Sequence, residues 1–77
     1  MFLTRAIRSL SHALALPGLE AETRTRGRLA LAQVLLLLSD REAALQHATQ
    51  AREEAQHYEL MGLLARCEQL LREIADV

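Results

Sequence analysis

The sequence predicts an all-α fold, from its composition and from the spacing of its apolar residues. Seventeen leucines and thirteen alanines among 77 residues favour helices, whereas two aromatic residues, Phe2 and Tyr58, leave few of the side chains that strands prefer. Apolar residues recur at steps of three and four, which is the period of a helix with one buried face. We expect one domain, residues 1–77, with helices at about 3–16, 20–38, 40–56 and 59–75.

The first helix has a regular apolar face and a clear end. Its face consists of Leu3, Ala6, Ile7, Leu10, Ala13 and Leu14. It stops at Pro17 and Gly18, because proline cannot continue the backbone ladder and glycine accepts a left-handed turn. The segment Met1 to Gly18 carries arginines and no acid, so an organellar transit peptide is an alternative, which we disfavour because of the helical spacing.

The second helix contains the most apolar segment of the chain, Leu29 to Leu38. This segment is about half as long as the roughly 20 residues that a bilayer requires, and charged residues flank it. We therefore expect no membrane span but a helix that is buried on more than one side. A chain of this length buries only about 60% of its unfolded surface, so self-association is the expected supplement.

The third helix is predicted to begin at a capping box, Ser39-Asp40-Arg41-Glu42, in which Ser39 and Glu42 satisfy each other's amides. Small residues follow at helical spacing, and they predict close packing on the second helix. This stripe consists of Ala44, Ala48, Ala51, Ala55 and Tyr58. We expect a turn near His57, and then a fourth helix whose apolar face consists of Leu60, Leu63, Leu64, Cys67, Leu70, Leu71 and Ile74.

The chain contains an internally repeated pattern, since Ala6, Leu10 and Ala13 stand 38 residues before Ala44, Ala48 and Ala51. Leu31, Ala32 and Leu35 add the large, small and large residues of a helical hairpin. Over residues 28–56 this pattern resembles the tetratricopeptide repeat, particularly the longer degenerate repeats of bacterial regulators. The resemblance implies stacked antiparallel helical hairpins and a role in protein association.

No group of residues predicts catalysis, a cofactor or a metal ion. His12, His47 and His57 lack zinc-ligand spacing and are expected at the surface, and no glycine-rich phosphate loop occurs. The lone Cys67 lies on an apolar face and cannot form an internal disulfide, which is compatible with the cytoplasm. All nine basic residues are arginine, which indicates a GC-rich, bacterial source.

The charges are divided between the two halves of the chain. Residues 1–38 hold five arginines and two acids, and residues 39–77 hold four arginines and eight acids, so the halves should attract each other. Arg24, Arg26 and Arg28 are candidate anion contacts, and nucleic-acid binding is the rival hypothesis. A pI of about 6.3 and the lack of stacking aromatics disfavour it, and nearby glutamates predict a salt-bridged surface.

We therefore expect a non-enzymatic module that associates with another protein, most simply as a homodimer. Burial of apolar helix faces would drive the contact. The predicted interface consists of Phe2, Leu3, Ile7, Leu10, Leu14, Leu29, Leu36 and Leu37. Two alternatives stay open: the chain is a piece of a larger regulator whose other repeats cover this face, or an apolar groove receives a helical peptide.

Overall fold

The computed structural model describes residues 2–14 and 20–76, and four helices account for nearly all of them. They are α1 (Phe2–Leu14), α2 (Ala21–Leu37), α3 (Arg41–His57) and α4 (Met61–Asp76). No strand occurs in these two ranges, so the predicted all-α class is confirmed. Residues 15 and 16, which the sequence assigned to the first helix, lie outside the described residues.

Helix α2 lies at the centre of the fold, because it contacts each of the other three helices. Among the described residues, α1 contacts only α2, whereas α3 contacts both α2 and α4. The apolar run in α2 is correspondingly buried on more than one face, with Leu29, Leu31 and Leu35 all in the core. The sequence thus places its most apolar segment where three neighbours exclude water from it.

One buried pattern recurs along the chain every 19 residues. In α3 it is the alanine stripe Ala44, Ala48, Ala51 and Ala55, each of them fully buried as predicted. In α4 the corresponding buried residues are Leu63, Cys67, Leu70 and Ile74. In α2 the same step leads to Thr25, Leu29 and Ala32, which are also buried. The 38-residue offset of the repeated pattern in the sequence is therefore two steps of 19 residues. The small side chains of α3 let the neighbouring helices approach closely.

The turn between α2 and α3 differs from the predicted capping box. Ser39 has a positive φ of 62°, and the amide of Asp40 donates to the carbonyl of Leu35 at 2.9 Å. Ser39 therefore closes α2 in a left-handed conformation and cannot cap α3. Asp40 is the cap instead, since its carboxylate accepts a hydrogen bond from the amide of Ala43 at 3.3 Å. The prediction that Ser39 and Glu42 form the box is wrong, because Ser39 belongs to the end of the preceding helix.

The turn between α3 and α4 has the same backbone arrangement. Glu59 has a φ of 56°, and the amide of Leu60 donates to the carbonyl of Ala55 at 2.8 Å. The predicted turn near His57 is confirmed, because α3 ends at that residue. Both turns satisfy helix-end carbonyls with a left-handed residue that is not glycine, so the sequence carries no strong breaker at either place.

Candidate functional site

The apolar residues that the sequence assigned to an interface do not form one surface. Ile7 and Leu10 of α1 are half-buried and pack against the chain's own core, and Leu3 is also half-buried. The side chains of Phe2 and Leu14 lie outside the described residues. The face of α1 that the sequence offered to a partner is thus the face that holds α1 on α2.

The three residues that the sequence chose from α2 have three different environments. Leu29 is buried within the core, so it is not accessible to a partner in this fold. Leu36 is half-buried against that core, whereas Leu37 is 73% exposed. Only Leu37 of these three is mostly exposed to solvent, and it is the last residue of its helix.

The three candidate anion contacts do not form a positive patch. Arg26 forms an ion pair with Glu22 one turn earlier, at 2.8 Å, and Arg24 is half-buried. Arg28 forms an ion pair with Glu54 of α3. Helix residues two positions apart project to nearly opposite sides, so Arg26 points away from its two neighbours. The sequence predicted Glu20 and Glu22 as the partners of Arg24 and Arg28. In the structure Glu22 pairs with Arg26, and the partner of Arg28 is Glu54 of the next helix.

Arg28 belongs to a small polar cluster between α2 and α3. Its Nη1 donates to the side-chain oxygen of Gln50 at 2.7 Å. The hydroxyl of Thr25, which is fully buried, donates to the carbonyl of Ala21 at 2.8 Å and lies 3.3 Å from Glu54 Oε2. These bonds satisfy polar groups inside an otherwise apolar contact, and they hold the two helices in one register.

His47 borders this cluster and is not the surface histidine that the sequence predicted. It is half-buried, and its Nδ1 is a buried atom with no hydrogen-bond partner in the described part of the chain. Burial, with a smaller effect from the Arg28 guanidinium, lowers the pKa of His47 below its ordinary value of 6.5. His57 is exposed as expected, with its ring packed edge-on to that of Tyr58. The environment of His47 keeps its imidazole neutral.

The potential metal ligands of the described residues do not cluster, and the thiol of Cys67 is buried. No group of three or more histidine, cysteine or acidic residues in them could hold a metal ion. Cys67 is buried, and its burial, together with Glu68 and Glu54, raises the pKa of the thiol. A buried thiol with a raised pKa behaves as a small apolar side chain and not as a nucleophile.

The strongest candidate for a contact surface is a line of apolar residues on α4 next to its buried face. Four apolar residues lie along it at helical spacing, with Glu68 in the middle: Met61, Leu64, Leu71 and Ala75. We call these four residues the outer stripe. Leu71 and Ala75 line a groove of about 360 Å³ between α4 and Arg52 of α3. Met61 is 65% exposed and lines a groove with Arg26 of α2. Ala75 is exposed, whereas Leu64 and Leu71 are half-buried and pack against the core. This face of α4 therefore has the pattern of a helix surface that packs on another helix.

The sequence analysis missed this surface because it treated all apolar residues of the fourth helix as one face. The residues of that face are buried or half-buried as predicted, but they divide into two stripes. Leu64 and Leu71 each follow a buried residue by one position, which is about 100° around the helix. The apolar face of α4 is wider than one neighbouring helix needs, but α4 contacts both α2 and α3, so its width alone does not indicate a further contact.

A second groove lies between α2 and α4 and has a volume of about 380 Å³. Leu29, Leu63 and Leu70 form part of its lining. Its polar lining includes Arg66, Gln69 and Glu73. An apolar floor with mixed charges at the rim suits an amphipathic helix better than an anion, since acidic and basic groups are both present.

Comparison with family models, with curated proteins and with solved structures finds no significant match to this chain. Within the described residues, no helix combines the length and the apolar character that crossing a bilayer requires.

Proposed function

We propose that this chain is a non-enzymatic, tetratricopeptide-like module that acts by protein association, and that it associates with itself. In this proposal α2 and α3 form one antiparallel hairpin, α1 is the second half of a preceding hairpin, and α4 begins a following one. The 19-residue recurrence and the two similar three-residue turns support this arrangement, because helices joined by such short turns pack as antiparallel neighbours.

The outer stripe of α4 is the observation that carries the proposal. The stripe combines two exposed apolar residues with two half-buried ones, and partly exposed apolar surface of this kind can mark a contact with another protein. Leu37 and Leu45 add exposed apolar area at the turn between α2 and α3, with 73% and 46% of each residue exposed. Burial of these side chains in an assembly would supply the driving force.

Molar mass in solution tests this proposal directly. Light scattering or sedimentation equilibrium of the purified chain, from micromolar to millimolar concentration, should give a mass above the 8.6 kDa of one chain. A mass of one chain over the whole range, with native helical content by circular dichroism, would contradict self-association.

Two other functions have weaker support. A helical peptide fits the groove between α2 and α4, because that groove has an apolar floor and a mixed polar rim. A chain that is a piece of a larger regulator would cover the outer stripe with its own next helix. Nucleic-acid binding has the least support, since Arg26 and Arg28 are engaged in ion pairs and project to different sides of α2.

A further inference from the structure

We propose that copies of this chain associate through two different surfaces, with the turn between α2 and α3 of one copy seated in the groove beside Leu71 of the next. This inference rests on the proposed self-association and names the two surfaces that meet. It joins in one contact the apolar side chains that the fold leaves exposed at the α2–α3 turn and the groove on α4.

Most of the exposed large apolar side chains lie around the turn between α2 and α3. Leu37 ends α2, Leu38 follows it, and Leu45 lies near the start of α3, with exposed fractions of 73%, 42% and 46%. The other two in the described ranges, Tyr58 and Met61, lie around the turn between α3 and α4. We call residues 37–45 the α2–α3 tip. Burial of its three leucines against another protein would remove apolar surface from water.

The α2–α3 tip has a negative net charge. It contains Asp40, Arg41 and Glu42, all of them exposed, so two acids and one base give a net charge of −1. The carboxylate of Asp40 caps α3 through the amide of Ala43. Glu42 belongs to none of the ion pairs of the described residues, so its charge is not neutralised within one copy.

The groove beside Leu71 is partly apolar and carries the opposite charge. It has a volume of about 360 Å³, and Leu71 and Ala75 supply its apolar lining. Its charged lining is Arg52, Glu68 and Arg72, so two bases and one acid give a net charge of +1. Arg72 donates through Nε to the backbone carbonyl of Glu68 at 3.5 Å, and none of the three side chains forms an ion pair in the described part of the chain.

Charge selects the pairing of the two surfaces. A tip that enters the groove of another copy brings a negative segment to a positive lining, and its leucines meet Leu71 and Ala75. Two tips, or two grooves, would bring like charges together, which is unfavourable in a contact that excludes water. A second copy of this chain therefore has the chemistry that the groove on α4 accepts.

A contact between two different surfaces also constrains the assembly. Each copy has one tip and one groove, so the contacts either repeat in an open chain or close into a ring, of which a reciprocal dimer is the smallest. The mass alone does not identify the surfaces, and variants with reversed charges are needed for that purpose.

Two variants reverse the charge of one surface each. Glu42→Arg changes the net charge of the tip from −1 to +1, and Arg52→Glu changes that of the groove lining from +1 to −1. Both positions are exposed on α3, and both new side chains favour helices, so the fold should persist. The matched controls are Glu53→Arg and Arg8→Glu, which make the same changes at exposed positions outside the two surfaces.

We expect Glu42→Arg and Arg52→Glu each to raise the concentration needed for association about tenfold or more, measured by light scattering. Both controls should associate as the wild type does. Mixed in equal amounts, the two reversed variants should associate like the wild type, because each tip then meets a groove of opposite charge. A chain that carries both changes should do the same, and circular dichroism should show unchanged helical content throughout.

Other outcomes separate this inference from the proposed function. If the wild type associates but neither Glu42→Arg nor Arg52→Glu weakens association, the contact between tip and groove is wrong and self-association stands. The same conclusion follows if the mixture and the doubly changed chain do not recover, or if the controls lose association as well. If the wild type has the mass of one chain at all concentrations, both proposals fail.

Discussion

Arg28 of α2 and Glu54 of α3 form an ion pair that joins the positive half of the chain to its negative half. About a quarter of the Arg28 side chain and 22% of the Glu54 side chain are exposed, so solvent screens this pair less than a fully exposed one. The carboxylate also lies beside the buried hydroxyl of Thr25. The pair is thus part of the contact between the two helices.

Glu54→Gln should lower the free energy of unfolding by about 1–2 kcal/mol, because it keeps the size of the side chain but leaves the guanidinium without its counter-charge. Urea unfolding of both proteins measures the difference. Glu53→Gln, at an exposed position on the same helix, is the control and should change stability by less than about 0.5 kcal/mol. Equal effects at positions 53 and 54 would show that the ion pair adds nothing.

His47 should make stability depend on pH in the weakly acidic range. Burial, and to a smaller extent Arg28, hold the pKa of His47 in the folded protein below 6.5, so the unfolded chain binds the proton first as pH falls. The free energy of unfolding should therefore decrease below about pH 6.5 and stop responding to this group once the pH is below its folded pKa.

The histidine effect can be isolated by substitution. His47→Gln should flatten the dependence just below about pH 6.5, as measured by chemical unfolding at several pH values. His57→Gln, at an exposed position, should leave the contribution of His47 in place. A His47→Gln profile parallel to that of the wild type would rule out His47 as its source.

The alanine stripe of α3 should not tolerate larger side chains. Ala51 is fully buried where α3 meets its neighbours, so Ala51→Leu should force the helices apart and lower stability by about 1–3 kcal/mol. Ala65→Leu introduces the same side chain at an exposed position of α4 and should change stability by less than about 0.5 kcal/mol. Thermal unfolding of the two variants measures the difference. An Ala51→Leu protein as stable as the wild type would mean that the helices are less closely packed than described.

A change to glycine should have opposite effects on stability at a left-handed turn residue and within a helix. Glu59 has a φ of 56°, a conformation that costs a residue other than glycine about 1 kcal/mol, so Glu59→Gly should raise stability by about 0.5–1 kcal/mol. Glu53→Gly, within α3, should lower stability by about 1 kcal/mol. Destabilisation by both substitutions, measured in urea, would argue that residue 59 does not adopt a left-handed conformation in solution.

The local features of the fold could be predicted from the sequence. The helical class, the stripe Ala44 to Ala55 and the buried face of the fourth helix follow from spacing alone, because side chains three and four residues apart share a face of any helix. Tyr58 was assigned to the same stripe but is 52% exposed, since α3 ends one residue before it. Helical spacing predicts which residues share a buried face only within the bounds of the helix.

The candidate contact surface could not be predicted from the spacing of apolar residues. Leu29 and Leu37 look alike in the sequence, yet one is buried and the other is 73% exposed, because only packing decides which side of an apolar helix meets a neighbour. Only the structure separates the outer stripe of α4 from its buried face, since Leu63 and Leu70 lie in the core whereas Leu71 lies beside an open groove.

The sequence by itself determined the local structure of this protein: where helices form, which residues are small enough for close packing, and how the charge is divided between the halves. Periodicity and propensity encode these properties within a few turns of chain. The tertiary structure alone decided that α4 also contacts α2, that Arg28 pairs with Glu54, and that α1 contacts only α2 among the described residues. Such facts depend on contacts between residues far apart in the chain, and no local pattern specifies them.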